Sequence, residues 1–275
     1  MLTLLASAIL ASMITGSLCG VAGVFVAKLR LSTLTFAVAH AALCGAALGL
    51  FLETDPVITA VVLAVATSLV LGPLIDVTGI PSDTLAMVLF SVYNALTFIF
   101  IFFSPGPALA AEKVGGILWG SVLAVTKTYL IALFALLYVY LFLLLILWSR
   151  FQSILFDRRL AEAEGVNTKP YIYLLMLLTG IVISIALRIV GGFLVFSLLY
   201  IPAACGFTAC NFKKITLVSA LIGGLAGSLG VVTSFAFNFP VGTCIVITAA
   251  LIFTVVVVCS NIKKKKLFRE ISKTT

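Results

Sequence analysis

KTYLIALFALLYVYLFLLLILWSRFQSILFDRRLAEAEGVNTKP, residues 127–170, decides the fold class. From Thr128 to Trp148 it runs 21 residues without a charge, filled mostly by Leu, Ile, Phe, Val, Ala and Tyr. About 20 apolar residues in helical geometry cross the hydrocarbon core of a bilayer, so the first half reads as a membrane span. The second half, from Ser149 to Pro170, is the longest polar stretch of the chain and is too short for a soluble domain.

The same pattern repeats on both sides. Apolar segments fall at roughly 3–27, 34–52, 57–75, 84–104, 127–148, 170–190, 193–210, 215–237 and 241–261. Of the 275 residues 63% are hydrophobic and 9% charged, and the mean hydropathy is +1.32; so few charges cannot cover a soluble core. Barrel strands would be about 10 residues long with alternating polarity, which these runs lack. The expectation is an all-α polytopic membrane protein, a single transmembrane domain over 1–275 with about nine transmembrane helices. Eight remain possible, because the first segment has no flanking charge on its outer side. That segment starts apolar at Met1, without a basic leader or a small-residue cleavage site, and reads as a retained helix.

Charge sets the expected orientation. Lys28, Arg30, Arg150, Arg158, Arg159, Lys169, Lys213, Lys214, Lys263, Lys264, Lys265, Lys266, Arg269 and Lys273, 14 of the 17 Lys and Arg, share one side of the nine-span arrangement. By the positive-inside rule the C-terminus is cytoplasmic and the N-terminus external. The net charge of +8 therefore reports orientation and not a nucleic-acid partner. SPGPALAAEKVGGILWGS at 104–121 is too polar and Gly/Pro-rich to span, and reads as an external loop with a short interfacial helix. The six cysteines lie in or beside apolar segments and read as free thiols. Small residues at helical spacing (Gly16/Gly20, Ala41/Gly45/Gly49, Gly223/Gly227) point to close helix packing within the chain.

Ionisable and strongly polar groups inside the membrane are the first functional candidates, because each needs a partner there. His40, the chain's single histidine, lies mid-way along the second segment, Asn94 in the fourth and Arg188 near the outer end of the sixth. Asp76 and Asp83 flank one cytoplasmic-side turn, Glu53 and Asp55 an external one. His40 and Cys44, four residues apart, share a helix face, and imidazole and thiolate are both zinc ligands. A packed histidine beside an inert thiol is the competing reading. Neither a catalytic set nor a phosphate-binding loop GxxxxGK[ST] is present, so the chain reads as no enzyme, and nucleotide energy would have to come from another subunit. In the polar stretch, Asp157 is a good helix N-cap and Gly165 a good left-handed stop. They predict a two-turn amphipathic helix with Leu155, Phe156 and Leu160 on one side, suited to docking in a groove of a cytoplasmic partner.

Five segments together resemble the ABC-3 family, the membrane permeases of binding-protein-dependent zinc, manganese and iron importers. CGVAGVFVAKLRLSTLTFAVAHAALCGAALG at 19–49 is similar to the family's opening signature, and SDTLAMVLFSVYNALTFIF at 82–100 to its acidic residue and Phe-Ser helix. LFDRRLAEAEGV at 155–166 resembles the coupling loop, in which Leu155, Phe156, Asp157, Leu160, Ala161 and Gly165 would face the ATPase. LRIVGGFLVFSLLYIPAACG at 187–206 and GVVTSFAFNFPVGTCIV at 230–246 complete the match, in order.

The resemblance implies a type II ABC importer permease-like bundle, a homodimer or paired heterodimer. It also implies a separate ABC ATPase subunit, an extracytoplasmic metal-binding protein, a divalent metal ion as cargo and no permanently bound cofactor. The resemblance places His40 on the wall of the path; Cys44, where the family usually has Pro, joins it as a candidate metal ligand on the spacing above, and Asn94 is a further path candidate by its place in the fourth segment. One position departs: the acidic residue that the family usually carries one turn before the histidine is Phe36 here. Carboxylates favour manganese and His/Cys favour softer ions, so the expected cargo shifts toward zinc. Competing expectations are a non-metal substrate, or a stand-alone secondary carrier or channel, which would need repeats and broken helices near the midplane.

Overall fold

A computed structural model describes residues 2–120, 125–192 and 195–274; the side chains of Arg188 and of the basic cluster from Lys263 to Lys273 lie outside what it describes. Among the described residues the chain forms eleven α-helices and no strand. They are α1 (Leu2–Leu29), α2 (Ser32–Phe51), α3 (Pro56–Thr78), α4 (Ser82–Phe103), α5 (Pro107–Trp119), α6 (Lys127–Phe156), α7 (Arg158–Ala163), α8 (Thr168–Val190), α9 (Val195–Gly206), α10 (Phe212–Phe237) and α11 (Val241–Thr274). Eight of these, all but α5, α7 and α9, are long and apolar enough to cross a membrane.

Missing side chains bring the helices together. A Cβ on Gly16 would stand 2.1 Å from the Gly223 carbonyl oxygen, and one on Gly20 2.3 Å from that of Ser219, so α1 and α10 touch backbone to backbone. Gly45 and Gly49 seat α2 against Thr59 and Pro56 of α3 in the same way. The small-residue stripes are thus used within the chain, where close backbone approach replaces the hydrophobic drive that lipid does not supply. As a result α1 and α2 are almost wholly enclosed, whereas α4, α6 and α11 bury only a stripe each.

The seventh predicted segment differs most from expectation. It is helical from Val195 to Gly206, 12 residues, which at 1.5 Å per residue reach about 18 Å of a core about 30 Å thick. The Gly191–Gly192 pair ends α8, with Gly191 at φ +98°, and the apolar run that hydropathy counted as a span is a helical half-crossing. It still returns the chain. Phe207, just past α9, lies under the Lys28 ammonium, 5.7 Å from its ring centroid, and Phe25 of α1 packs on Phe212 at the start of α10. Lys28, Arg30, Arg158 and Lys169 therefore mark one end of the bundle, called here the basic end. Glu53 and Lys113 mark the other. A second difference is that α6 continues through the polar SRFQSILF, because Phe151 and Ile154 are buried at helical spacing while Ser149, Arg150 and Gln152 face outward.

Candidate functional site

Helix α2 runs through the middle of the bundle with α3, α4 and α8 packed on it, and side chains of α9 reach its basic half. His40 is half-buried and stacks on Phe90 of α4, ring centroids 4.3 Å apart at 27°. Its Nδ1 is buried and has no hydrogen-bond partner among the described residues. Cys44, fully buried, lies one turn further along α2 beside the side chain of Thr97. The Thr97 hydroxyl donates to the Tyr93 carbonyl at 2.7 Å, and the Tyr93 and Thr67 hydroxyls are joined at 2.8 Å, so α3, α4 and α2 meet here through polar groups. Asn94 falls between Phe90 and Thr97 at helical spacing; its Nδ2 donates to the Phe90 carbonyl at 3.0 Å, leaving the amide oxygen for another partner. Among the described residues no three His, Cys, Asp or Glu side chains converge. One chain thus offers an imidazole nitrogen and a thiol, with neighbouring amide and hydroxyl oxygens.

Phe36, where the acidic residue was expected, stacks on Phe196 of α9 at 4.3 Å and 24°. One turn toward the basic end, the Tyr200 hydroxyl donates to the Ser32 carbonyl at 3.0 Å and shares a 2.8 Å hydrogen bond with Thr35. The two helices are therefore antiparallel, Phe36 opposite Phe196 and Ser32 opposite Tyr200. The break at Gly191–Gly192, just ahead of α9, was legible only as a Gly-Gly pair inside an apolar run.

At the basic end, the Asp157 carboxylate caps α7 by accepting from the Arg159 and Leu160 amides at 2.8 and 3.2 Å. Gly165 closes the helix at φ +82°, its amide bonding the Glu162 carbonyl and that of Val166 the Ala161 carbonyl, both at 3.0 Å. These are the two bonds of a Schellman stop. Ala161 is buried, whereas Phe156 is 84% and Leu160 51% exposed; both line a groove of about 390 Å³ with Gln152 and Glu164. Leu155 is half-buried against the core instead. The Thr168 hydroxyl donates to Glu162 at 2.5 Å and Arg158 pairs with the same oxygen at 2.9 Å; together they hold the Glu162 carboxyl below the usual carboxylate range.

The sequence profile described as ABC 3 transport family matches residues 1–260. The chain belongs to this family. Membership makes it a transport subunit and not an enzyme. It is 32% identical over 255 residues to the manganese import system permease protein ScaB of Streptococcus parasanguinis, covering 91% of this chain and 89% of that one. To the high-affinity zinc uptake system membrane protein ZnuB of Haemophilus influenzae it is 29% identical over 266 residues, 96% of this chain and 97% of the other. Among solved structures, PsaBC from Streptococcus pneumoniae in complex with Fab aligns with a TM-score of 0.80 at 30% identity, over 92% of this chain and 90% of that one.

Proposed function

We propose that the whole chain acts as the permease domain of a bacterial ABC importer that carries a divalent transition metal ion across the cytoplasmic membrane. A separate ATPase subunit supplies the energy and an extracytoplasmic binding protein delivers the ion. The observation that carries the metal reading is the buried, unpartnered Nδ1 of His40 on the central helix, one turn from Cys44. A buried ring nitrogen without a partner is costly unless something binds it. The relatives named above are manganese and zinc permeases; the donors here, nitrogen and sulfur with Phe36 in place of an acid, favour zinc over manganese.

Two ligands per chain call for a second copy, which a two-fold axis would turn into four. Helix α4 offers the face for it. Asp83, Thr84 and Ser91 lie exposed among Met87, Val88 and Val92 around a shallow cavity, where exposed α6 shows bulky apolar residues suited to lipid. The basic end is cytoplasmic, which puts the C-terminus inside and the N-terminus outside. There the groove beside Phe156 and Leu160 receives the ATPase.

One observation favours a non-metal cargo: the Phe36–Phe196 stack occupies the place of the acidic ligand. Uptake of zinc and manganese into proteoliposomes holding the permease, its ATPase and its binding protein separates these readings. Saturable, ATP-dependent zinc uptake exceeding that of manganese is the expected result, and uptake of neither ion overturns the proposal.

A further inference from the structure

Helix α7 spans six residues, so whatever moves it must be passed on by its contacts. Besides its packing on α6, its side-chain hydrogen bonds to α8 meet at one residue: Thr168, almost fully buried, donates to Glu162 and accepts from Arg158 Nε at 3.1 Å. The next residue, Lys169, reaches across to α3, its Nζ 2.7 Å from Asp76 Oδ2. One turn along α8, the Tyr173 hydroxyl donates to that same oxygen at 2.5 Å.

The ring of Tyr173 can lie there because residue 72 has no side chain; a Cβ on Gly72 would stand 2.5 Å from the ring. Two turns further along α8, Gly180 rests on Ser68 of α3, where a Cβ would come 1.9 Å from the hydroxyl. Helices α3 and α8 thus grip each other along a continuous seam. A cavity of about 380 Å³ separates its basic end from the end of α1 and the Arg30–Leu31 turn that follows it, leaving the pair room to move against α1 there. At the far end α3 grips α2, the helix of His40, through Gly45 and Gly49.

We propose that Asp76, Lys169 and Tyr173 form a latch that passes displacement of α7, taken up at Thr168, from α8 to α3 and so to the His40 helix. They are positioning residues and touch no cargo. The Lys169 and Asp76 side chains are 55% and 32% exposed, so water shares the ion pair. Such a contact adds little to fold stability and can be made and broken in every cycle.

The latch rests on the reading of α7 as the ATPase contact, and the test separates the two. The assembled complex in proteoliposomes is assayed for metal ions imported per ATP hydrolysed, for Asp76→Asn, Lys169→Gln, the exchange Asp76→Lys with Lys169→Asp, and Leu160→Asp. Each single latch variant is expected to lower the ratio about fivefold, in the range of measured coupling energies, and the exchange to restore it. Unchanged ratios in the singles, or an exchange no better than they are, overturn the latch. If Leu160→Asp alone uncouples, only the latch fails; if it too leaves the ratio unchanged, the coupling reading fails with it. Restoration by the exchange is what a merely structural role of either residue would not give.

Discussion

Replacing Gly16 by alanine adds one methyl group where α1 crosses α10. The new carbon would stand 2.1 Å from the Gly223 carbonyl oxygen, about 1.3 Å inside ordinary contact. Both partners are backbone within helices of 28 and 26 residues, so neither yields locally and the helices must separate. Overpacking of this kind costs about 1–3 kcal/mol, and the upper end applies because backbone meets backbone. Relief of glycine's backbone entropy returns about 0.5–1 kcal/mol, leaving a net loss of about 2 kcal/mol. Unfolding of the full chain in detergent micelles measures it, with Gly115→Ala as control, since nothing lies within 4 Å of a Cβ there. Adding Gly223→Ala to Gly16→Ala should cost less than the sum, because the second methyl meets a gap the first has opened. A Gly16→Ala protein as stable as the Gly115→Ala protein would refute the reasoning.

Leu160→Asp places a charge on a half-exposed position of the α7 groove, so unfolding should shift by no more than about 0.5 kcal/mol while the ATPase is uncoupled from uptake or released. Normal co-purification together with normal uptake would remove α7 from the interface. With the exposed Cys210 and Cys259 changed to serine, a cysteine at position 109 should react with an impermeant reagent from outside, while a reporter fused after Thr275 behaves as cytoplasmic; position 109 and the C-terminus found on the same side would overturn the topology. The Glu162 carboxyl is held low by Thr168 and then Arg158, so its contribution is full above the ordinary glutamate range and disappears as pH falls through the depressed value. The stability difference between wild type and Glu162→Gln should close in that acid window, and a difference that persists at lower pH would show that the charge is irrelevant.

The sequence made the bundle legible wherever one residue type acts locally. Apolar runs marked the long spans, Asp157 and Gly165 announced the caps of α7, and Gly16, Gly45 and Gly223 fell where helices now touch. What hydropathy missed was geometry. Residues near 193–210 are apolar enough to span, yet the Gly191–Gly192 break leaves a half-crossing, and Ser149–Phe156 looked like loop because its amphipathic period is short. For the site, the His40–Cys44 spacing was readable along one helix. Phe90, Thr97 and Phe196, which decide what those two residues face, come from other helices, as does the pairing of Lys169 with Asp76. Such long-range pairs leave no local pattern.

Whether the transported ion touches His40 is tested most directly by zinc uptake into proteoliposomes containing the complete complex, with His40→Ala, Cys44→Ala and the double variant at equal protein level and with ATP hydrolysis followed in parallel. Loss of uptake of at least about tenfold in His40→Ala, deeper in the double variant, with ATP hydrolysis continuing, is the expected result. Wild-type zinc uptake in the double variant would contradict it, and would place the path elsewhere in the bundle.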